Sequence, residues 1–172
     1  MDEGTKRVAS IYLPPTRKVE KQGYALTEDY ERSQGRTPQF VGDGWHPTLL
    51  DRVRAWAEVR GGPGCSFTCD YVSIANGRID RLIEVKARGG SQTSVSLLDR
   101  QYEAMQALGP DWWLYAAFDC STPNPSLVVV CDPRRLPWRR GTLPTGAAHN
   151  VESEGNWHVM PDETIRVGER VF

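Results

Sequence analysis

No stretch of this sequence approaches the roughly 20 apolar residues that a helical bilayer span needs, and the aliphatic run Leu127 to Cys131 is far too short. The first residues, Met1-Asp2-Glu3-Gly4-Thr5-Lys6, hold no apolar stretch that could act as a secretory signal. A cytoplasmic protein without a membrane partner is therefore expected. An excess of either charge is also missing, since 21 Lys and Arg face 22 Asp and Glu for a net charge of −1. That balance argues against a chain that coats nucleic acid indiscriminately, yet it allows a basic face around a local acidic site. The cluster Arg134, Arg135, Arg139 and Arg140 reads, on charge alone, as a solvated loop. Cysteine is scarce: the four stand at 65, 69, 120 and 131, at spacings that fit no common structural zinc template. All four are read as small apolar residues. Internal repeats and low-complexity segments are absent as well.

What remains is the composition of a folded domain. Hydrophobic residues make up 39% of the 172 and charged residues 25%, enough for one packed α/β domain with a tail. Pro14-Pro15 argues against a regular element over residues 1–24. A short helix is predicted from Thr27 to Gln34, with Thr27 as N-cap and Gly35 as the stop. A second runs from about Pro47 to Arg60, where Leu49, Leu50, Val53, Trp56 and Ala57 recur at helical spacing before Gly61-Gly62-Pro63. Thr68–Ile74 and Asp80–Ala87 then read as two strands joined at Asn76-Gly77, a strong hairpin signal. A third helix follows from Ser96 to Leu108 and stops at Gly109-Pro110. Strands are predicted at Trp112–Phe118 and Leu127–Cys131. Residues 141–156 read as a long loop, and 157–172 as a segment able to add an edge strand. Helices mixed with strands in this order imply a mixed β-sheet flanked by helices.

The chemistry concentrates in Ile83-Glu84-Val85-Lys86. Along a strand, Glu84 and Lys86 share one face while Ile83 and Val85 share the other. Alone, a Glu-x-Lys pair is too common to mean more than a solvated strand face. Asp70, on the preceding strand, changes that. With a two-residue turn at Asn76-Gly77 and an unbroken ladder, Asp70 faces Ile83 and points away from Glu84. A three-residue loop or a bulge instead sets Asp70 opposite Glu84. The site hypothesis thus demands an irregular hairpin, and a regular one would refute it. Two adjacent carboxylates stay ionised together only with a cation between them. Hard oxygen donors with open water positions suit Mg²⁺ or Mn²⁺, which would polarise a phosphoryl oxygen. Lys86 could then orient a water or stabilise developing negative charge.

Asp70 followed by Glu84-Val85-Lys86 resembles the PD-(D/E)xK nuclease superfamily. More specifically, the chain is similar to the NO VEIN C-terminal family, which accompanies helicases and restriction or defence systems. The match is carried by Tyr30-Glu31 through Gly35-Arg36-Thr37-Pro38, by Cys69-Asp70-Tyr71-Val72-Ser73, and by Arg81-Leu82-Ile83-Glu84-Val85-Lys86. Trp112-Trp113-Leu114-Tyr115, Asp119-Cys120, Leu127 and Asp132-Pro133 continue it. The resemblance implies an α/β fold with a restriction-endonuclease-like core over residues 24–138, which leaves an N-terminal extension over 1–23 and, over 139–172, a C-terminal loop with a segment able to add an edge strand. It implies metal binding by Asp70, Glu84 and the Val85 carbonyl, with Lys86 catalytic. Glu31 becomes either an outer carboxylate near the metal or Lys86, or a surface helix residue. Gln101 stands where the family tends to place an acid and could still bond a phosphate or a water. Arg88 and Arg100, flanking the site, are candidate nucleic-acid contacts. The implied activity is Mg²⁺- or Mn²⁺-dependent DNA cleavage, as endonuclease or nickase, with a helicase or another restriction or defence component as partner. The alternative is a catalytically silent nuclease fold that binds nucleic acid or recruits a partner. Trp112 and Trp113, neighbours on a strand, are expected to face opposite ways and pack, not to form one base-stacking platform.

Overall fold

A computed structural model describes residues 15–62, 68–90, 94–140 and 157–172. The predicted loop 141–156 and Cys65 lie outside them. In chain order the elements are α1 (Pro15–Ser33), β1 (Thr37–Phe40), α2 (Pro47–Glu58), β2 (Tyr71–Ala75), β3 (Arg78–Ala87), β4 (Val95–Leu97), α3 (Asp99–Leu108), β5 (Trp112–Phe118), β6 (Ser126–Cys131), β7 (Arg139–Arg140), β8 (Trp157–Val159), α4 (Pro161–Val167) and β9 (Glu169–Arg170). Six strands form one mixed sheet in the order β1-β2-β3-β5-β6-β9. Only β3 and β5 run parallel in it, joined by a crossover through α3. A small second sheet orders β4-β8-β7.

Alternation along the central strands divides the core into two layers. Val72, Leu82, Trp112, Leu114 and Phe118 face one way, against Val53 and Ala57 of α2 and Met105 and Leu108 of α3. Tyr71, Ile83, Val85, Tyr115 and Ala117 face the other way, against Tyr24, Leu26 and Tyr30 of α1. Helices thus cover both faces of a mixed sheet, an arrangement compatible with a restriction-endonuclease-like core. Trp112 is fully buried in the first layer, and Trp113 packs on the second beneath the Arg81 guanidinium, 3.7 Å from its ring centroid. Among the described residues no helix is long and apolar enough to cross a membrane.

Three expectations need correction. The first helix begins at Pro15, not Thr27, and so runs through the expected boundary between residues 23 and 24. Proline breaks a helix interior but is well tolerated in the first turn, where its missing N–H has no intrahelical partner. Thr27 is consequently no N-cap: it is buried mid-helix, its Oγ1 donating to the Gly23 carbonyl at 2.9 Å. Gly35 does end the helix, in the left-handed region at φ 72°. Strand β1 was not foreseen, and Val95–Leu97 forms β4 where helix was expected from Ser96. The C-terminal segment adds β9 at the edge of the large sheet, paired with β6, and also α4 and β8.

Candidate active site

The hairpin carries the site, and its register decides everything else. Asn76 and Gly77 both adopt positive φ (51° and 74°), forming a two-residue turn that pairs Ala75 with Arg78 and Ile74 with Ile79. The ladder then slips. Ser73 pairs with Arg81, Val72 with Leu82 and Tyr71 with Ile83, so Asp80 is an unpaired extra residue. Packing explains the bulge. Ile79 and Leu82 both contact the α2/α3 layer, and residues three apart share a face only if the alternation breaks between them. Beyond the bulge the ladder's last pair is Tyr71–Ile83, and Asp70, one residue further out, lies within electrostatic reach of Glu84. The loop has two residues, not three; the bulge supplies the parity that the site requires.

Asp70 sits just before β2, in the last position with a foothold in the sheet. Its N–H donates to the Ile83 carbonyl and its own carbonyl accepts from Val41, both at 2.8 Å. Its carboxylate replaces the next ladder bond: Oδ2 accepts the Val85 N–H at 2.8 Å, and Oδ1 accepts the Tyr24 hydroxyl at 3.3 Å. On the other side of β3, Arg88 bonds Ala117 and Cys120. Even-numbered residues of β3 therefore address β5, while Ile83 and Val85 address β2. The Val85 carbonyl thus points to the edge where Asp70 stands.

Glu84 is 3% exposed. Its Oε1 accepts from the Lys86 ammonium at 2.8 Å and from the Gln101 amide. Gln101 Oε1 in turn accepts from Lys86 at 3.1 Å and from the Leu98 N–H at 2.9 Å. Those two donors fix the amide's orientation, since its NH₂ group must then face the carboxylate. Gln101 thereby ties the start of α3 to the acidic pair. Burial first, and then the charge of Glu84, push the Asp70 carboxyl up to about 7, against the opposing effects of the Val85 N–H, Lys86 and Tyr24. The neighbouring Cys69 thiol is pushed well up by its burial and by the same two carboxylates. A local negative charge that is costly to maintain is what a cation would relieve.

Glu31 is elsewhere. It is fully buried, not on the surface, and it lies on the sheet face opposite Glu84 and Lys86. Arg36 grips it with two bonds of 2.9 and 2.8 Å, and Ser73 and Tyr115 donate their hydroxyls. Burial alone would raise its pKa, but these four bonds outweigh it and hold the carboxyl below the usual range. Arg88 is occupied too, donating to the Ser94 carbonyl at 2.7 Å and Ser96 Oγ at 3.2 Å. Arg100 is exposed on the first turn of α3, next to Gln101. In the 134–140 group, Arg134 pairs with Asp132, Arg139 with Glu163, and Arg135 with backbone carbonyls. Tyr24 is the site residue that sequence reasoning missed. It falls in a segment read as irregular, and an aromatic on a helix face carries no local sign of a polar partner.

The donor set is two carboxylates and one carbonyl; among the described residues no three His, Cys, Asp or Glu side chains converge as a metal-binding group. Such a set fits Mg²⁺ or Mn²⁺, which bind through one or two carboxylates and keep several waters. A family model described as Protein NO VEIN, C-terminal, matches residues 19–130, well over half of the chain. No curated protein and no solved structure matches it.

Proposed function

The chain belongs to the NO VEIN C-terminal family, and from that premise and the site geometry we propose that it is a metal-dependent DNA nuclease domain of PD-(D/E)xK type. The observation that carries the reading is the bulge at Asp80, which pairs Tyr71 with Ile83 and so brings the next residues outward, Asp70 and Glu84, within electrostatic reach of each other and of Lys86. Asp70, Glu84 and the Val85 carbonyl would hold Mg²⁺ or Mn²⁺. When bound, the ion supplies a Lewis acid for a phosphoryl oxygen and acidifies a coordinated water. Lys86, steadied between Glu84 and Gln101, orients that water or meets the negative charge that develops on the phosphate. Gln101 keeps the Lys86 ammonium in reach without adding a third carboxylate. Arg100 is a phosphate contact at the rim, while Arg88 holds the connection from β3 to β4 and reaches nucleic acid only by releasing Ser94 and Ser96. The near-neutral charge of the chain suits delivery of DNA by a helicase or another restriction or defence component.

Cleavage of supercoiled plasmid with Mg²⁺ or Mn²⁺, beside a Lys86→Ala variant, tests the reading. The expected loss in the variant is on the order of 100-fold or more; equal activity in the two proteins refutes it. One observation favours a second reading, a silent nuclease fold that binds or recruits. Lys86 already neutralises Glu84 at 2.8 Å, a pairing that needs no metal. DNA binding without cleavage by either protein would support that alternative.

A further inference from the structure

Tyr24 reaches Asp70 from the far side of the sheet. Helix α1 packs against the second layer, and at Gly23 it comes so close to β3 that an added Cβ would lie 2.7 Å from the Ala87 Cβ and 3.4 Å from Val85 Cγ1. That approach brings the next residue to the end of β2 that Asp70 precedes. The Tyr24 ring is caged edge-on by Phe40, at 5.0 Å between centroids, and by Tyr71, at 5.8 Å. Phe40 and Tyr71 also contact each other at 5.2 Å. Two of the three rings come from the edge pair β1 and β2, so the cage fixes the phenol relative to the end of β2. Its hydroxyl lies 3.3 Å from Asp70 Oδ1 and 3.1 Å from Glu20 Oε1. A phenol has one proton to donate. Glu20 is exposed and hydrated, whereas Asp70 is mostly enclosed, so the bond matters more to Asp70.

We propose that Tyr24 is a positioning residue: its hydroxyl and the Val85 N–H grip the two oxygens of Asp70 from opposite sides and hold the carboxylate facing Glu84. Asp70 needs such a grip because it stands just before β2, and the residues preceding it, Thr68 and Cys69, belong to no strand. Outer partners of this kind orient a metal-binding carboxylate without touching the ion. The structural half of the inference stands on geometry alone; its consequence for cation binding rests on the nuclease reading above.

The experiment uses the full chain as wild type, Tyr24→Phe and Tyr71→Phe. Both variants keep their rings and lose only a hydroxyl; that of Tyr71 donates to Glu28, not to Asp70. In ¹H–¹⁵N spectra without metal, Tyr24→Phe should shift the Val85 amide and speed its hydrogen exchange, and Tyr71→Phe should leave it in place. An unmoved Val85 amide in Tyr24→Phe, or equal movement in both variants, overturns the grip. In calorimetric titration with Mn²⁺, Tyr24→Phe should weaken binding on the order of tenfold, with Tyr71→Phe close to wild type. Unchanged Mn²⁺ affinity in Tyr24→Phe overturns the role in cation binding. No Mn²⁺ uptake by the wild type would instead defeat the nuclease reading, and the Val85 amide alone would then decide whether Tyr24 grips Asp70.

Discussion

Replacing Arg36 with methionine should reverse the way Glu31 responds to pH. In the native protein the Glu31 side chain is completely enclosed and that of Arg36 is 13% exposed, so the ion pair is a buried one. Removing one member of such a pair costs about 3–5 kcal/mol, because the remaining charge loses its partner without regaining water. Ser73 and Tyr115 still donate to Glu31 after the change, which points to the lower end, about 3 kcal/mol. For a domain of this size that corresponds to a fall in Tm of about 6–12 °C. The sign of the pH dependence is the sharper test. With Arg36 present, the folded-state pKa of Glu31 is depressed. Its contribution is therefore complete above the unfolded pKa and is lost as pH falls through the folded value. Without Arg36, burial dominates and raises the folded pKa, so the variant is destabilised as pH rises through the unfolded value. The stability difference between the two proteins should thus widen from about pH 4 to about pH 7. Other titrating groups, Asp70 among them, act in both proteins and cancel in the difference. Urea denaturation followed by circular dichroism across that range measures it. A gap between the proteins that does not change with pH would refute the claim that Glu31 depends on Arg36 for its charge.

Two further substitutions address the site. Gln101→Glu exchanges an amide that donates to Glu84 for a third carboxylate, so the metal-free protein should melt lower, by about 1–3 kcal/mol of stability. Mn²⁺ should restore most of that loss, and a melting temperature insensitive to Mn²⁺ would count against a cation between these groups. Gly23→Ala forces α1 away from Ala87 and should cost about 1–3 kcal/mol by overpacking. If thermal melting shows no loss, the close approach of α1 to β3 is not as described.

The parts of the fold that could be read in the sequence are those whose signal is local. Helix α2 announces itself by Pro47, a helical apolar period and a glycine pair, and β2 and β3 by their residues around Asn76-Gly77. Helix α1 was half hidden because its buried positions among the described side chains, Gly23, Thr27 and Glu31, hold no aliphatic side chain. Hydrophobic periodicity cannot detect a helix that buries a glycine, a hydroxyl and a carboxylate. Strand β1 has four residues, one of them Pro38, and owes its existence to pairing with β2. Strand β4 depends on β8, far along the chain, so residues 95–97 carry no sign of it. In the site, Glu84 and Lys86 follow from strand alternation, whereas Gln101 followed only from the family resemblance. The bulge was legible only as a requirement, although Ile79 and Leu82, apolar and three apart, already mark it. The position of Glu31 was not accessible: a helix sequence states which side is buried, not which face of the sheet it meets.

The bulge also separates two regimes of tolerance along the hairpin. Between Ser73–Arg81 and Tyr71–Ile83 the strands are locked in step, and a one-residue insertion or deletion there would turn a charged face into a core face. Past Asp80 the chain runs only out to the tip, where Arg52 donates to the Gly77 carbonyl at 3.0 Å. Lengthening the tip leaves the inner pairing untouched. The number of residues separating Asp70 from Glu84 is thus free to drift by additions at the tip, and a search for relatives of this site should hold the two strand segments rigid and let the gap between them vary.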